Sequence, residues 1–288
     1  ICGRVWRVDI GGARSNWQVS LLGEFGSDAT AADDRRFFHR PDFVQSKDGP
    51  NNSNKFDAVI IGSGDRPNPF DRDNTGGFSS IRTNWTFMIK DRRVLPASET
   101  NAVADTGFIM DSLLDVTNNC LQTGTTGTCD PDNKLQNGWK LMLSQGTGEK
   151  SLSTPITLAN TVYFTTYLPF GEDTDVVGDV TAGVDFDTCG PSEGEGLLYA
   201  VSLADATAVI NYNEYNDTTD ADGNTTSETL DASDRTSNLS SHGIPADVVG
   251  VNIGGRAYIL PPDLDPDKAG DATRWRTFWY SAEDGDNY

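Results

Sequence analysis

Little in this sequence belongs to the usual equipment of catalysis. Two histidines, His39 and His242, occur among 288 residues, and there are four cysteines. His39 follows Phe37-Phe38 and precedes Arg40-Pro41, a packing or surface setting, and His242 stands beside Gly243 after a polar stretch. With no activated serine or cysteine pattern beside them, a nucleophilic triad is excluded. Gly62-Ser63-Gly64-Asp65 lacks the G-x-S-x-G of a nucleophile elbow, and Arg66-Pro67 follows where a phosphate loop needs Lys-Ser/Thr. Two carboxylates can do acid–base work on glycosides, yet nothing in the sequence singles out a pair. The expectation is a protein that binds rather than catalyses.

Cations are also scarce. Lys and Arg total 22 against 43 Asp and Glu, giving a net charge of -21 and a pI near 4.2. That field repels phosphate backbones and anionic headgroups, so nucleic acid and the inner membrane leaflet are excluded as partners. No apolar run is long enough to cross a bilayer, and no membrane insertion is expected. There is no C-x-x-C, and the histidines lie far from the cysteines in sequence, which disfavours zinc. The opening Ile1-Cys2-Gly3-Arg4 has no basic start followed by an apolar region, and a strand-like pattern begins at once. The expectation is a fragment or processed product of a longer protein.

Turn chemistry is what the sequence has in quantity. There are 29 Gly and 13 Pro, with Asn, Asp, Ser and Thr in clusters, the composition of many short strands joined by many turns. Strand-like runs fall at 4–10, 17–22, 36–38, 58–61, 85–89, 139–143, 161–167, 197–203, 247–251, 256–260 and 274–280. In the first, Val5, Arg7 and Asp9 alternate with Trp6, Val8 and Ile10. Residues 102–116 are the best helical stretch, with Val103, Ile109, Met110, Leu113 and Leu114, weakened by Gly107. Residues 213–241 are nearly devoid of large apolar side chains, so an exposed or partly ordered insert is expected there. Residues 171–196 are similar, with Val176, Val177, Val180, Val184 and Phe186 able to supply short edge strands.

Cys120 and Cys129 bracket a turn-rich stretch with two glycines, which points to a local disulfide in an exported protein. Cys2 and Cys189 can pair at long range, although sequence does not fix connectivity. Two acidic loops have the oxygen-rich pattern that Ca²⁺ uses. Asp263, Asp265 and Asp267, with Asp271 beyond, alternate carboxylates, but Lys268 stands where the sharp turn needs glycine and Pro266 restricts the chain. Asp220, Asp222 and Asn224 surround the required Gly223, but Thr218 and Thr226 replace carboxylates. A solvated acidic turn is the plain alternative for both.

Repeats choose among the all-β architectures. Gly3-Arg4-Val5-Trp6-Arg7-Val8-Asp9, Asn160-Thr161-Val162-Tyr163-Phe164, Gly196-Leu197-Leu198-Tyr199-Ala200-Val201 and Gly254-Gly255-Arg256-Ala257-Tyr258-Ile259 share a turn residue followed by a strand carrying an aromatic. Leu203 to Ile210 adds a small-residue turn and a return strand. Blades of a quinoprotein-like β-propeller read this way, so a modified, partial propeller with long polar insertions is favoured over a sandwich. On this plan Trp6, Trp85, Trp139 and Trp279 lie between sheets, while Trp17 and Trp275 are free to stack on sugars. Asp65 and Arg66 end a strand and fasten one blade to the next.

These segments together resemble a known family. Gly3-Arg4-Val5-Trp6-Arg7-Val8-Asp9-Ile10, then Val59-Ile60-Ile61-Gly62-Ser63-Gly64-Asp65-Arg66-Pro67-Asn68-Pro69, are similar to the C-terminal region of PilY-type type IV pilus proteins. So are Asn84-Trp85-Thr86-Phe87-Met88-Ile89-Lys90-Asp91, Gly138-Trp139-Lys140-Leu141 and Gly148-Glu149-Lys150-Ser151-Leu152-Ser153-Thr154-Pro155. Val162 to Pro169, Cys189 ahead of Gly196 to Leu203, and Thr273 to Tyr280 continue the order. The resemblance implies a modified β-propeller at the pilus tip of a bacterium, exported through the periplasm to the cell surface. It implies pilins and minor pilins as partners, promotion of pilus assembly, opposition to retraction, and attachment to a surface or host ligand. The family's calcium loop typically lies just ahead of the Gly-x-Val-Trp-Arg stretch, hence upstream of this chain, and no other cofactor is expected. The alternatives are a carbohydrate-binding propeller and a quinone-dependent dehydrogenase.

Overall fold

The computed structural model describes residues 3–10, 12–27, 29–48, 55–69, 82–93, 107–122, 129, 134–169, 194–212, 218–219, 225–226, 230–253 and 256–260. Apolar and β-branched side chains, bounded by glycine and asparagine turns, select most of the strands. They are β1 (Arg4–Asp9), β2 (Gln18–Glu24), β3 (Asp42–Lys47), β4 (Lys55–Gly62), β5 (Trp85–Asp91), β6 (Phe108–Ile109), β7 (Leu114–Asp115), β8 (Gly138–Met142) and β9 (Lys150–Ser151). Then follow β10 (Ile156–Leu158), β11 (Thr161–Leu168), β12 (Glu195–Ser202), β13 (Thr218–Thr219), β14 (Thr225–Thr226), β15 (Thr236–His242), β16 (Val249–Ile253) and β17 (Arg256–Leu260). Among the described residues the remaining elements are single 3-10 turns, so the fold is all-β.

The strands form separate open sheets. The first has order β1-β2-β6 and the second β3-β4-β5-β8-β7. The third runs β10-β11-β12-β15, with β9 also paired to β11, and β16-β17 makes a fourth. The second and third each contain a run of four antiparallel strands.

Stacking of these sheets follows from the pleat, which sends successive side chains to opposite faces. Val59 and Ile61 of β4, with Phe87 and Ile89 of β5, meet Val5, Leu22 and Phe25 from the first sheet. Phe25 stacks on Phe87 with ring centroids 4.4 Å apart, an arrangement worth about 0.5–1.5 kcal/mol beyond the area it buries. Ala58, Ile60 and Met88 point the other way and meet Val162, Phe164, Leu197 and Tyr199 of the third sheet. Leu198 on the far face of the third sheet packs with Leu239, Val248 and Ile259, reaching the fourth. The second and third sheets are therefore apolar on both faces because each is an inner layer.

Most expected strands are present, with instructive exceptions. Residues 102–116 form no α-helix where they are described: Gly107 has φ +76, Met110–Ser112 is a single 3-10 turn, and Phe108–Ile109 and Leu114–Asp115 form short parallel pairs with β2 and β8. The apolar residues there anchor sheet edges one at a time instead of forming a helical stripe. Residues 36–38 lie outside any strand, and β3 (Asp42–Lys47) follows. The polar insert 213–241 contains the paired strands β13 and β14 and most of β15. Propensity fails for β15 because its partner β12 supplies the ladder, with Leu239 its one large apolar residue. The entry to β15 is fixed by buried Arg235, whose two Nη atoms donate to the Thr117 and Val116 carbonyls at 3.2 and 2.9 Å. After β12 the chain makes one bridge, Val201 to Ala208, in place of the expected return strand. Residues 171–193 and 274–280 lie outside the described residues.

Cys120 and Cys129 form the expected disulfide, nine residues apart in sequence, while Cys2 and Cys189 lie outside the described residues. Cys129 packs on the core between the second and third sheets. Replacing both cysteines by serine is expected to lower unfolding free energy by about 2–3 kcal/mol. Urea denaturation of the two chains under oxidising conditions checks this, and equal midpoints contradict it.

Candidate functional site

Two places between sheets concentrate polar chemistry. The first joins the second and third sheets at the turn after β4. Ser63 accepts the Ser151 N–H through its carbonyl at 3.0 Å, and its hydroxyl donates to Asn84 Oδ1 at 3.1 Å. Asn84 Nδ2 in turn donates to the Glu149 carbonyl at 3.0 Å. Gly64 is required by close approach, since a Cβ there would lie 2.4 Å from the Ser151 carbonyl oxygen. Buried Asp65 receives Arg36 Nη1 at 3.0 Å, and Arg66 Nη1 donates to the Leu152 carbonyl at 3.2 Å. Asp65 and Arg66 thus end a strand, as expected, and Arg66 crosses to the neighbouring sheet.

Behind this turn lies a buried carboxyl group that the sequence did not single out. Glu149 Oε1 accepts hydrogen bonds from Tyr199 Oη at 2.8 Å and Thr166 Oγ1 at 2.7 Å, and Oε2 accepts the Gln145 N–H at 2.7 Å. Burial raises its pKa above the ordinary value, and the three donors oppose that rise without cancelling it. Tyr199 stays a neutral donor, because burial and the adjacent Glu149 push its pKa far up.

The second place is a groove of about 330 Å³ between the first and second sheets. Asp57 of β4 and Asp91 of β5 stand directly opposite each other on the face turned toward the first sheet. Like charges in such register repel. Arg7 of β1 reaches across from the facing sheet: Nη1 donates to Asp91 Oδ2 at 2.7 Å, while Nε and Nη2 bond Asp9 Oδ1 at 2.9 and 2.6 Å. Burial lowers the pKa of Arg7, but its bonds to Asp9 and Asp91 outweigh this and hold it above the usual value. Arg93 adds its backbone N–H and Nε to Asp91 Oδ1 at 3.0 and 3.2 Å. Among the described residues Asp57 has no ion pair; its carboxylate shares a hydrogen bond with the Gln45 side chain, and its Oδ1 is buried with no hydrogen-bond partner. Burial first, then the charge of Asp91, raises the Asp57 pKa against the pull of Arg7 and the hydrogen bond with Gln45. Val5, Leu22 and Val59 form the apolar wall, and Trp6 and Phe43, 55% and 59% exposed, stand at the rim.

Trp6 corrects an expectation. It does not lie between sheets but shares the open face of the first sheet with Val8 and Val19. Arg7 and Asp9, the polar half of the same strand, take the inner side because they meet Asp91 there. Trp85 and Trp139 are buried as expected, and Trp139 Nε1 donates to the Leu203 carbonyl at 2.9 Å. Trp17 is exposed, whereas Trp275 and Trp279 lie outside the described residues. So do the calcium loops Asp263, Asp265, Asp267 and Asp271 and Asp220, Asp222 and Asn224. Thr218–Thr219 and Thr225–Thr226 pair as a ladder on either side of the second loop. Among the described residues no group of three or more His, Cys, Asp or Glu is placed to hold a metal ion. Asp57 was missed because its signal is a register: only the pairing of β4 with β5 sets it against Asp91.

The raised pKa of Glu149 has a testable sign. Above the ordinary value of 4.5 the folded chain holds this proton more tightly than the unfolded chain. The stability contributed by this group therefore falls as pH rises through that window and returns as pH drops. Glu149→Gln is expected to remove that slope, so its stability relative to the parent improves as pH rises above 4.5 and then levels off. Urea midpoints across the range measure it, and a difference independent of pH speaks against this role.

No family model matches the chain, and no curated protein matches it. Among the described residues no helix is long and apolar enough to cross a membrane. The crystal structure of the Pseudomonas aeruginosa PilY1 C-terminal domain aligns with 90% of this chain and 54% of its own, at a TM-score of 0.49 and 14% identity. The chain thus spans about half the length of that solved domain.

Proposed function

We propose that this chain is a binding and assembly module of a PilY-type protein associated with a bacterial type IV pilus, built on a modified β-propeller. The observation that carries the reading is where the ordered motifs fall. Gly3 to Ile10 contains β1, and Val59 to Pro69 contains the end of β4 and the turn that meets the third sheet. Asn84 to Asp91 is β5, Gly138 to Leu141 lies in β8, Val162 to Pro169 in β11, and Gly196 to Leu203 in β12. The segments that resemble the family are the ones whose side chains stack sheet on sheet. Runs of four antiparallel strands, packed face to face in sequence order, are what propeller blades require, and this supports the finer architecture.

On this reading the module acts outside the cell or at its surface, contacts pilins and minor pilins, promotes assembly against retraction, and presents a surface to a host or abiotic ligand. It binds rather than catalyses. Calcium control is assigned to the family's loop ahead of β1, with the two acidic loops of this chain as secondary candidates. Carbohydrate binding is the second reading, favoured by Trp17, 49% exposed beside Arg14.

Deleting the coding region for these residues in the source bacterium is expected to abolish surface pili and twitching. Electron microscopy of the cells and a subsurface twitching assay measure this, and normal piliation after deletion overturns the reading. Glycan binding that disappears in Trp17→Ala while piliation persists would favour the second reading instead.

A further inference from the structure

We propose that the groove between the first and second sheets receives a lysine or arginine side chain carried by a segment of a partner protein. The inference rests on the reading of the chain as a binding module and supplies the chemistry of its partner. Local charge gives the first argument. Asp9, Asp57 and Asp91 face Arg7 and Arg93, so one negative charge is in excess. Arg7 and Arg93 engage Asp9 and Asp91, while among the described residues Asp57 has no ion pair; Gln45 bonds its carboxylate, yet Oδ1 has no donor. A buried carboxylate oxygen in that condition has lost its water without replacement, which is costly. An incoming N–H restores the missing hydrogen bond and balances the charge in one step.

Groove shape gives the second argument. Val5, Leu22 and Val59 offer an apolar wall along which the methylene stem of a basic side chain can lie. Phe43 of β3, paired with Val59, adds an aromatic side chain at the rim, a residue type that attracts cations. The volume, about 330 Å³, suits one long side chain with its flanking backbone and sits at the small end of ligand pockets. The net charge of -21 draws cationic segments toward the surface from a distance. Ca²⁺ takes six or more oxygens, which one carboxylate oxygen without a donor does not supply. A neutral sugar would leave the excess charge uncompensated.

The test uses the full 288-residue chain, isotopically labelled for NMR, with three small probes. Two are basic, Nα-acetyl-lysine methylamide and Nα-acetyl-arginine methylamide; the third, Nα-acetyl-citrulline methylamide, has the arginine shape without its charge. The basic probes are expected to shift the amides of Phe43, Asp57 and Val59 saturably, with the citrulline compound at least about ten-fold weaker. Asp57→Asn should weaken the basic probes about ten-fold and Phe43→Ser about three-fold, whereas Asp48→Asn, outside the groove, should leave them unchanged. Equal binding of the citrulline compound overturns the proposal. So do shifts scattered over the acidic surface, or undiminished binding by folded Asp57→Asn. If Asp57→Asn does not fold, Phe43→Ser and the citrulline comparison decide the matter. Absence of probe binding leaves the piliation result standing, and normal piliation leaves probe binding standing, so the two readings fail separately.

Discussion

Everything in this fold depends on the second sheet being buried on both faces. An inner layer can present no charged face to water, so β4 and β5 carry apolar side chains to either side. Val59, Ile61, Phe87 and Ile89 serve one interface, and Ala58, Ile60 and Met88 serve the other. The two interfaces are coupled through the same short strands. A side chain that disturbs one packing layer shifts the backbone that carries the next, because interiors at this density transmit strain.

Burial on both sides also governs where polar groups can stand. Trp139 satisfies its indole through the Leu203 carbonyl, and Glu149 is surrounded by three donors. Gly138, with φ +126, passes close under the Met88 carbonyl, where a side chain has no room. The groove at Asp57 differs, because it lies at the edge strands β1 and β3, where the layers no longer close fully. Its neighbouring charges are tied across the gap by Arg7, which gives the opening fixed walls. A site made this way is held by two sheets at once and is better organised than one on a loop.

Much of this was legible in the sequence, and the failures have definite causes. Long apolar alternation marked β4, β5, β11 and β12, since only strands bury such a pattern on two faces. The spacing of Cys120 and Cys129 announced their bond. What stayed hidden depended on partners distant along the chain. Thr236 to His242 has no strand signal of its own and is fixed by β12 and Arg235. Phe108 and Leu114 looked like parts of one helix, yet each belongs to a different sheet. Asp57 looked like one acid among 43 Asp and Glu, and only its register with Asp91 made it distinct. Hydrophobicity alone points Trp6 inward, but Arg7 has the stronger claim on that side because Asp91 waits there.

The open face of the first sheet has a colloidal consequence. Trp6, Val8, Ile10 and Val19 offer an oily plane that invites self-adhesion, while the charge of -21 makes approaching copies repel. The two tendencies differ in reach and in their response to electrolyte. Repulsion acts over about 8 Å at physiological ionic strength and shrinks as salt rises, whereas contact between apolar surfaces does not weaken with it. Brine therefore tilts the balance toward clumping and dilute medium toward dispersal, making the surroundings a determinant of whether this molecule travels alone.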